Sequence, residues 1–231
     1  MIIFPGAFIF DLNGTMIDDM NYHLRTWTYV LNHELGTNLT EEEVKSQMYG
    51  KNEEVLERVF GKGHFTKAEL DRISIEKEKQ YQEMYKPHLK LVDGLQRFLD
   101  RSRDLGVKMA IGSAAIPFNI DFVLDNLNIR DYFSVIVSAN DVEHSKPNPE
   151  TYLKAASLLQ ISPDECIVFE DAPKGIETAA NAGMKAVAIT TTHEVSEFSA
   201  YKNILGFIKD YNDPLMDQLL HASEKMQQGS K

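Results

Sequence analysis

One cysteine, Cys166, stands among 231 residues, so no intrachain disulfide can form. A reducing, cytoplasmic location is expected on that ground. No apolar run is long enough to span a bilayer. The opening Met1-Ile2-Ile3-Phe4-Pro5-Gly6 has no basic region and no small-residue cleavage site, so no signal peptide is expected. Basic residues are scarce: 24 Lys and Arg face 35 Asp and Glu, a formal net charge of -11. Such a balance argues against nucleic acid and against anionic membrane surfaces, both of which select basic patches. Internal repeats and low-complexity blocks are also lacking. What is present is a globular composition, 43% hydrophobic, with length enough for one core domain carrying a modest insertion. A monomer is expected. The tail from about Ser223 is polar and is expected to fray.

Five short apolar, β-branched runs alternate with helical patterns: Ala7–Phe10, 108–113, 135–138, 166–169 and 186–189, with 207–208 as a candidate sixth. This alternation predicts an α/β fold, a Rossmann-like parallel sheet with helices on both faces. Leu95, Phe98 and Leu99 make one helical stripe, and Tyr152, Leu153, Ala156 and Leu159 another. Residues 17–89 differ, because they contain no convincing strand. Met20, Leu24, Trp27, Leu31 and Leu35 share a helical face that ends at Gly36. Thr40 with Glu43, and Thr66 with Glu69, read as capping boxes, and Asn52 as a cap for a further helix. We therefore expect a core of residues 1–16 and 90–231 and a helical cap of residues 17–89, with hinges near 17–19 and 87–91. In the cap, Leu70, Ile73, Tyr81 and Met84 share a face with Lys77 among them. A lysine there either snorkels to water or points at an anion.

Ligands of such sheets bind beyond the carboxyl ends of the strands. The first strand runs into Asp11-Leu12-Asn13-Gly14-Thr15. Taken alone this is also an ordinary strand-ending turn, since Asn-Gly is a favoured turn pair. Three further strand ends change that reading. The second run ends at Ser113, followed by Ala114, where a hydroxyl and backbone N–H groups can hold a phosphate oxygen. The fourth ends in Glu170-Asp171, adjacent carboxylates that suit a hard cation such as Mg²⁺. Ahead of it, two prolines in Ser145-Lys146-Pro147-Asn148-Pro149-Glu150 stiffen the loop that projects Lys146. Together these parts describe phosphoryl transfer. Asp11 attacks phosphorus, while Mg²⁺, Lys146 and Ser113 neutralise the phosphoryl oxygens. A locally positive site inside an acidic protein follows.

The four segments, in the chain order 11–15, Ser113, 146–150 and Glu170-Asp171, make the whole chain resemble the haloacid dehalogenase superfamily. The resemblance is to the branch with a helical cap after the first strand, near β-phosphoglucomutase and the small sugar-phosphate phosphatases. It implies that Asp11 is the nucleophile. It implies that Mg²⁺ is held by the Asp11 carboxylate, the backbone carbonyl of Asn13, Glu170 and Asp171. Ser113 and Lys146 match phosphate binders, and Gly14, Thr15 and Ala114 are expected to bind the substrate beside them. His23 matches a cap-hinge histidine, Lys77 a cap lysine facing the site, Lys51 part of the cap's specificity loop, and Asn119 a loop residue near the leaving group.

Two departures matter. The family's phosphatases and mutases carry Asp where this chain has Asn13, and that Asp gives the leaving group its proton. An amide cannot. Binding should survive while turnover falls, and Asn13→Asp is expected to raise kcat. Either an engineered substitution or a naturally weakened member accounts for it. Glu53 stands where the mutase tends to have an arginine for a second phosphate, which argues for a monophosphate substrate. The reading is therefore hydrolysis of a small phosphomonoester, such as a sugar phosphate, with turnover impaired by Asn13. The alternatives are β-phosphoglucomutase activity, favoured by His23 and Lys77, and a non-catalytic phosphate-binding protein. Dehalogenase chemistry would leave Glu170-Asp171 without a purpose.

Overall fold

The computed structural model describes residues 5–229. Six parallel strands form one sheet in the order β3-β2-β1-β4-β5-β6. They are β1 (Ala7–Phe10), β2 (Lys108–Gly112), β3 (Val135–Val137), β4 (Cys166–Glu170), β5 (Lys185–Ile189) and β6 (Ile204–Ile208). All six apolar runs are strands, and the short 207–208 run is the end of a five-residue one. β1 is buried on both faces, as a central parallel strand must be when helices cover the sheet. Its pleat sorts the core. Phe8 and Phe10 pack with Phe98, Phe169 and Tyr211 on one side. Ala7 and Ile9 pack with Tyr152, Ala156 and Val168 on the other.

The core helices are α5 (Leu95–Asp104), α6 (Pro117–Asn126), α7 (Glu150–Leu159), α8 (Pro173–Asn181) and α9 (Pro214–Gly229). On α7 the buried stripe is Tyr152, Ala155, Ala156 and Leu159. Leu153, expected in that stripe, is exposed, because it lies about 100° round the helix from Tyr152. The polar tail expected to fray from about Ser223 is helical as far as Gly229. Met1 to Phe4, most of the stretch read for a signal peptide, and residues 230–231 lie outside the described residues. Among the described residues no helix is long and apolar enough to cross a membrane.

Between β1 and α5 lie α1 (Met20–Tyr29), α2 (Glu41–Gln47), α3 (Asn52–Phe60) and α4 (Lys67–Tyr85). Both expected capping boxes close: Thr40 and Glu43 open α2, and Thr66 and Glu69 open α4. Asn52 is the first residue of α3, and Lys51 stands at its cap. These helices own a separate apolar cluster of Trp27, Val30, Leu31, Val44, Val55, Leu56, Leu70 and Ile73. On α4, Tyr85 is buried while Met84, expected on the inner face, is exposed. The two connections to the core run side by side, with Ile17 bridging Leu91 and Val92 N donating to Met16 O at 2.9 Å. The two connecting segments thus lie against each other at the base of the helical insertion.

Candidate active site

β1 lies between β2 and β4, the point where the strand order reverses direction. The loops leaving these strands diverge there and open a crevice. Asp11 follows β1, Ser113 follows β2, Glu170 ends β4 and Asp171 follows it, so register alone brings them to one edge. The cavity at that edge runs up under the cap. It is lined by Asp11, Asn13, Ser113, Ala114, Lys146, Glu170 and Asp171 from the core and by His23, Trp27, Asn52, Lys77 and Glu78 from the cap.

Lys146 ties the floor together. Its Nζ donates to Asp11 Oδ1 at 2.7 Å, Glu170 Oε1 at 2.6 Å and the Tyr152 hydroxyl at 2.8 Å. Tyr152 donates in turn to Glu170 Oε1 at 2.9 Å. Burial alone would pull the Lys146 ammonium down, but Asp11 and Glu170 hold it above the ordinary lysine range. Ser113 Oγ accepts from Ala115 N at 3.1 Å, which leaves its O–H to donate into the cavity. Asp171 is oriented by two hydroxyls: Thr15 donates to Oδ1 at 3.1 Å, and Thr192 donates to Oδ2.

Three carboxylates, Asp11, Glu170 and Asp171, each place an oxygen within 4.8 Å of the others. One ammonium faces them. Burial pushes the Asp11 carboxyl up to about 7 against the pull of Lys146, and Glu170 adds to the rise. Burial, then Glu170 and Asp11, hold Asp171 well above the usual carboxylate range. Hard oxygen donors, buried and short of positive charge, fit Mg²⁺. The glycines nearby follow from the same crowding. Gly14 has φ +73°, and a side chain there or at Gly175 would collide with the carboxylates of Asp171 and Glu170 respectively. Asp171→Asn removes one of the repelling charges, and its amide can still meet the Thr15 and Thr192 hydroxyls, which rotate. In chelator this variant should therefore melt above the parent. Mg²⁺ should raise the parent's melting temperature, by about 2.7 kcal/mol of stability at a hundredfold excess over Kd, and leave the variant's nearly unmoved. Equal Mg²⁺ responses in differential scanning calorimetry would remove Asp171 from the metal site.

Behind the floor lies a second polar cluster. Asp19 is 0% exposed and accepts from Gly14 N at 3.1 Å, from Asn13 Nδ2 at 2.5 Å and from the Tyr81 hydroxyl. His23 Nε2 is 3.3 Å from Asp19 Oδ2 and 3.2 Å from Asn13 Nδ2. Its ring stacks on Tyr81 at 3.8 Å between centroids. On the other side, His23 Nδ1 is 2.7 Å from Lys77 Nζ. Lys77 is 1% exposed, so it does not snorkel to water.

A family model described as haloacid dehalogenase-like hydrolase matches residues 8–189. The chain belongs to this family. Fructose-1-phosphate phosphatase YqaB of Escherichia coli (strain K12) is 30% identical over 201 residues, 80% of this chain and 96% of that protein. Beta-phosphoglucomutase of Bacillus subtilis (strain 168) is 32% identical over 190 residues, 79% and 82% of the two chains. Among solved structures, a family IA, variant 3 HAD hydrolase from Entamoeba histolytica superposes with a TM-score of 0.83 at 27% identity, covering 94% of this chain and 99% of that one. The β-phosphoglucomutase of Clostridium difficile gives 0.81 at 25% identity, with 96% and 99% covered.

In this haloacid dehalogenase-like hydrolase not every residue read from the sequence reaches the cavity. Gly14 and Thr15 were expected against the substrate. Instead Gly14 N bonds Asp19, and Thr15 is fully buried behind Asp171. Lys51, expected in the cap's specificity loop, donates to Val142 O at 2.7 Å and lines a separate crevice. Glu53 lies in that crevice too, paired with the exposed Lys67 at 3.3 Å. It therefore says nothing about a second phosphate in the cavity. Asn119, expected on a loop, is in the first turn of α6 and does line the cavity. Asp19, Glu78, Tyr152, Thr192 and His193 were missed. Tyr152 read only as part of a helical stripe, and Asp19 only as part of a hinge. Their partners lie on other elements, Tyr81 62 positions away in the case of Asp19 and Glu170 18 positions away in the case of Tyr152.

Proposed function

We propose that this chain hydrolyses a small phosphomonoester, such as a sugar phosphate, through transfer to Asp11, and that Asn13 limits its turnover. The observation that supports this best is the convergence of Asp11, Ser113, Lys146, Glu170 and Asp171 on one cavity roofed by the cap. An Asp11 oxygen attacks phosphorus as the bond to the leaving oxygen breaks, and a water later attacks the aspartyl phosphate to release inorganic phosphate. Asp11, Glu170, Asp171 and the carbonyl of residue 13 would hold Mg²⁺, which would supply charge neutralisation at the phosphoryl oxygens. Lys146 fixes Asp11 and adds positive charge, and Ser113 donates a hydrogen bond. The leaving oxygen needs a proton, and the Asn13 amide has none to give. The cap excludes water when it is down over the cavity.

A second reading, phosphomutase, is favoured by His23 and Lys77 facing the same cavity and by the similarity to the Bacillus subtilis mutase. One panel separates the two. With aryl, ketose, aldose and polyol monophosphates plus β-glucose 1-phosphate, we expect Mg²⁺-dependent release of inorganic phosphate. Accumulation of glucose 6-phosphate in place of inorganic phosphate would select the mutase. Phosphate binding without either product would leave only a binding protein.

A further inference from the structure

The chemistry at phosphorus makes no use of Glu78, although it is a charged group 3% exposed in the cavity wall. Donors from three helices converge on it. Asn52 Nδ2 of α3 reaches Oε1 at 2.6 Å, and Lys77 Nζ, its neighbour on α4, reaches the same oxygen at 3.1 Å. Asn119 Nδ2 of α6 reaches Oε2 at 2.5 Å, and His23 Nδ1 of α1 is 4.0 Å from it. The cap and the core thus meet at one carboxylate beside the substrate space. Burying a carboxylate is costly unless it is paired and bonded, and an apolar residue would close the cap on the core without that cost.

We propose that Glu78 is the specificity residue of the leaving-group end, which accepts hydroxyls of a neutral polyhydroxylated chain and rejects a second phosphate. The proposal rests on the phosphomonoester reading of the same cavity. A hydroxyl both donates and accepts, so a site that reads several needs both kinds of group at close spacing. A carboxylate has about four acceptor sites, and three of those on Glu78 are engaged. Lys77 has three N–H groups, of which two are directed at His23 and Glu78, and each amide has a second N–H. Trp27, Met20 and Val55 line the same space and offer apolar faces to the C–H side of such a chain. Around Glu78 the wall also offers an anion no uncompensated cation among the described residues. The Lys77 charge is matched by Glu78 at 3.1 Å, and Lys51 is outside the cavity. Lys174 lines the cavity away from Glu78, where it is exposed and seated over the Tyr49 ring at 3.9 Å.

Calorimetric titration of the full chain with Mg²⁺ tests this. The probes are a hexitol 6-phosphate, n-hexyl phosphate, a hexitol 1,6-bisphosphate and inorganic phosphate. We expect the hexitol monophosphate to bind at least about tenfold more tightly than the hexyl ester or the bisphosphate, the discrimination of a site built to bond hydroxyls. Glu78→Gln keeps the size but turns a donor toward donors. It should cut that preference about tenfold, and Asn52→Ala should cut it in the same direction if Glu78→Gln folds poorly. A parent that binds the hexyl ester or the bisphosphate as tightly as the hexitol ester overturns the proposal, as do folded variants that retain the full preference. In either case binding of inorganic phosphate leaves the phosphomonoester reading standing. If inorganic phosphate and all three esters fail to bind, that reading falls as well, and the proposal with it.

Discussion

Asn13→Asp alone should recover far less turnover than Asn13→Asp combined with Asp19→Asn. The reason is the 2.5 Å contact between Asn13 Nδ2 and Asp19 Oδ2. The amide is a donor to a carboxylate that is 0% exposed. A carboxylate at 13 would set acceptor against acceptor in that place. Such a mismatch typically costs about 1–3 kcal/mol, or roughly 2–4 °C of melting temperature per kcal/mol for a chain of this size. It would also turn the new carboxylate away from Asp19, without a fixed position from which to protonate the leaving oxygen. Exchanging the two groups keeps one acid and one amide in the pair. The double variant should therefore raise kcat by about 10²–10⁴-fold, the usual range for general acid–base help, with little change in ground-state phosphate binding. The single variant should gain less than about a tenth of that and melt below the parent. Steady-state kinetics and melting curves on fresh protein decide it, with mass spectrometry of the peptide spanning Asn13 to exclude deamidation of the Asn-Gly pair. A single variant as active and stable as the double would mean that the Asp19 contact is unimportant. No gain in either would mean that position 13 is not the acid–base residue.

Asp11→Asn in that double background should remove turnover altogether. No other carboxylate can take its place without losing its own contacts. Glu170 is held by Lys146 and Tyr152, and Asp171 by Thr15 and Thr192. The loss should not come from unfolding. An amide at 11 still accepts from Lys146 through its carbonyl oxygen and takes one charge out of a crowded, buried cluster. The check is peptide mass spectrometry after acid quench and digestion at low pH. The active double variant should show a phosphoryl adduct on the peptide carrying Asp11, and the triple variant none. Substantial Mg²⁺-dependent turnover by a folded triple variant would move the nucleophile elsewhere.

The strands, the helical insertion and the floor of the site were legible in the sequence because each depends on local pattern. A parallel sheet covered on both faces leaves continuous apolar runs, and its functional groups must follow those runs. Asp11, Ser113 and Glu170-Asp171 could therefore be located by reading to the end of each strand, and Lys146 by the prolines around it. Capping boxes are local too, and Thr40 and Thr66 start their helices where expected. What only the tertiary structure decided was how distant polar residues pair. Asp19 gains its meaning from Asn13, Gly14 and Tyr81, Glu78 from Asn52 and Asn119, and Tyr152 from Lys146 and Glu170. Glu53 and Lys51, set beside the site by motif position, turn into another crevice. No sequence spacing encodes these contacts, because each forms only when the fold brings separate elements together: α3 and α6 against α4 at Glu78, α4 against the segment before α1 at Asp19, and α7 against the end of β4 at Tyr152.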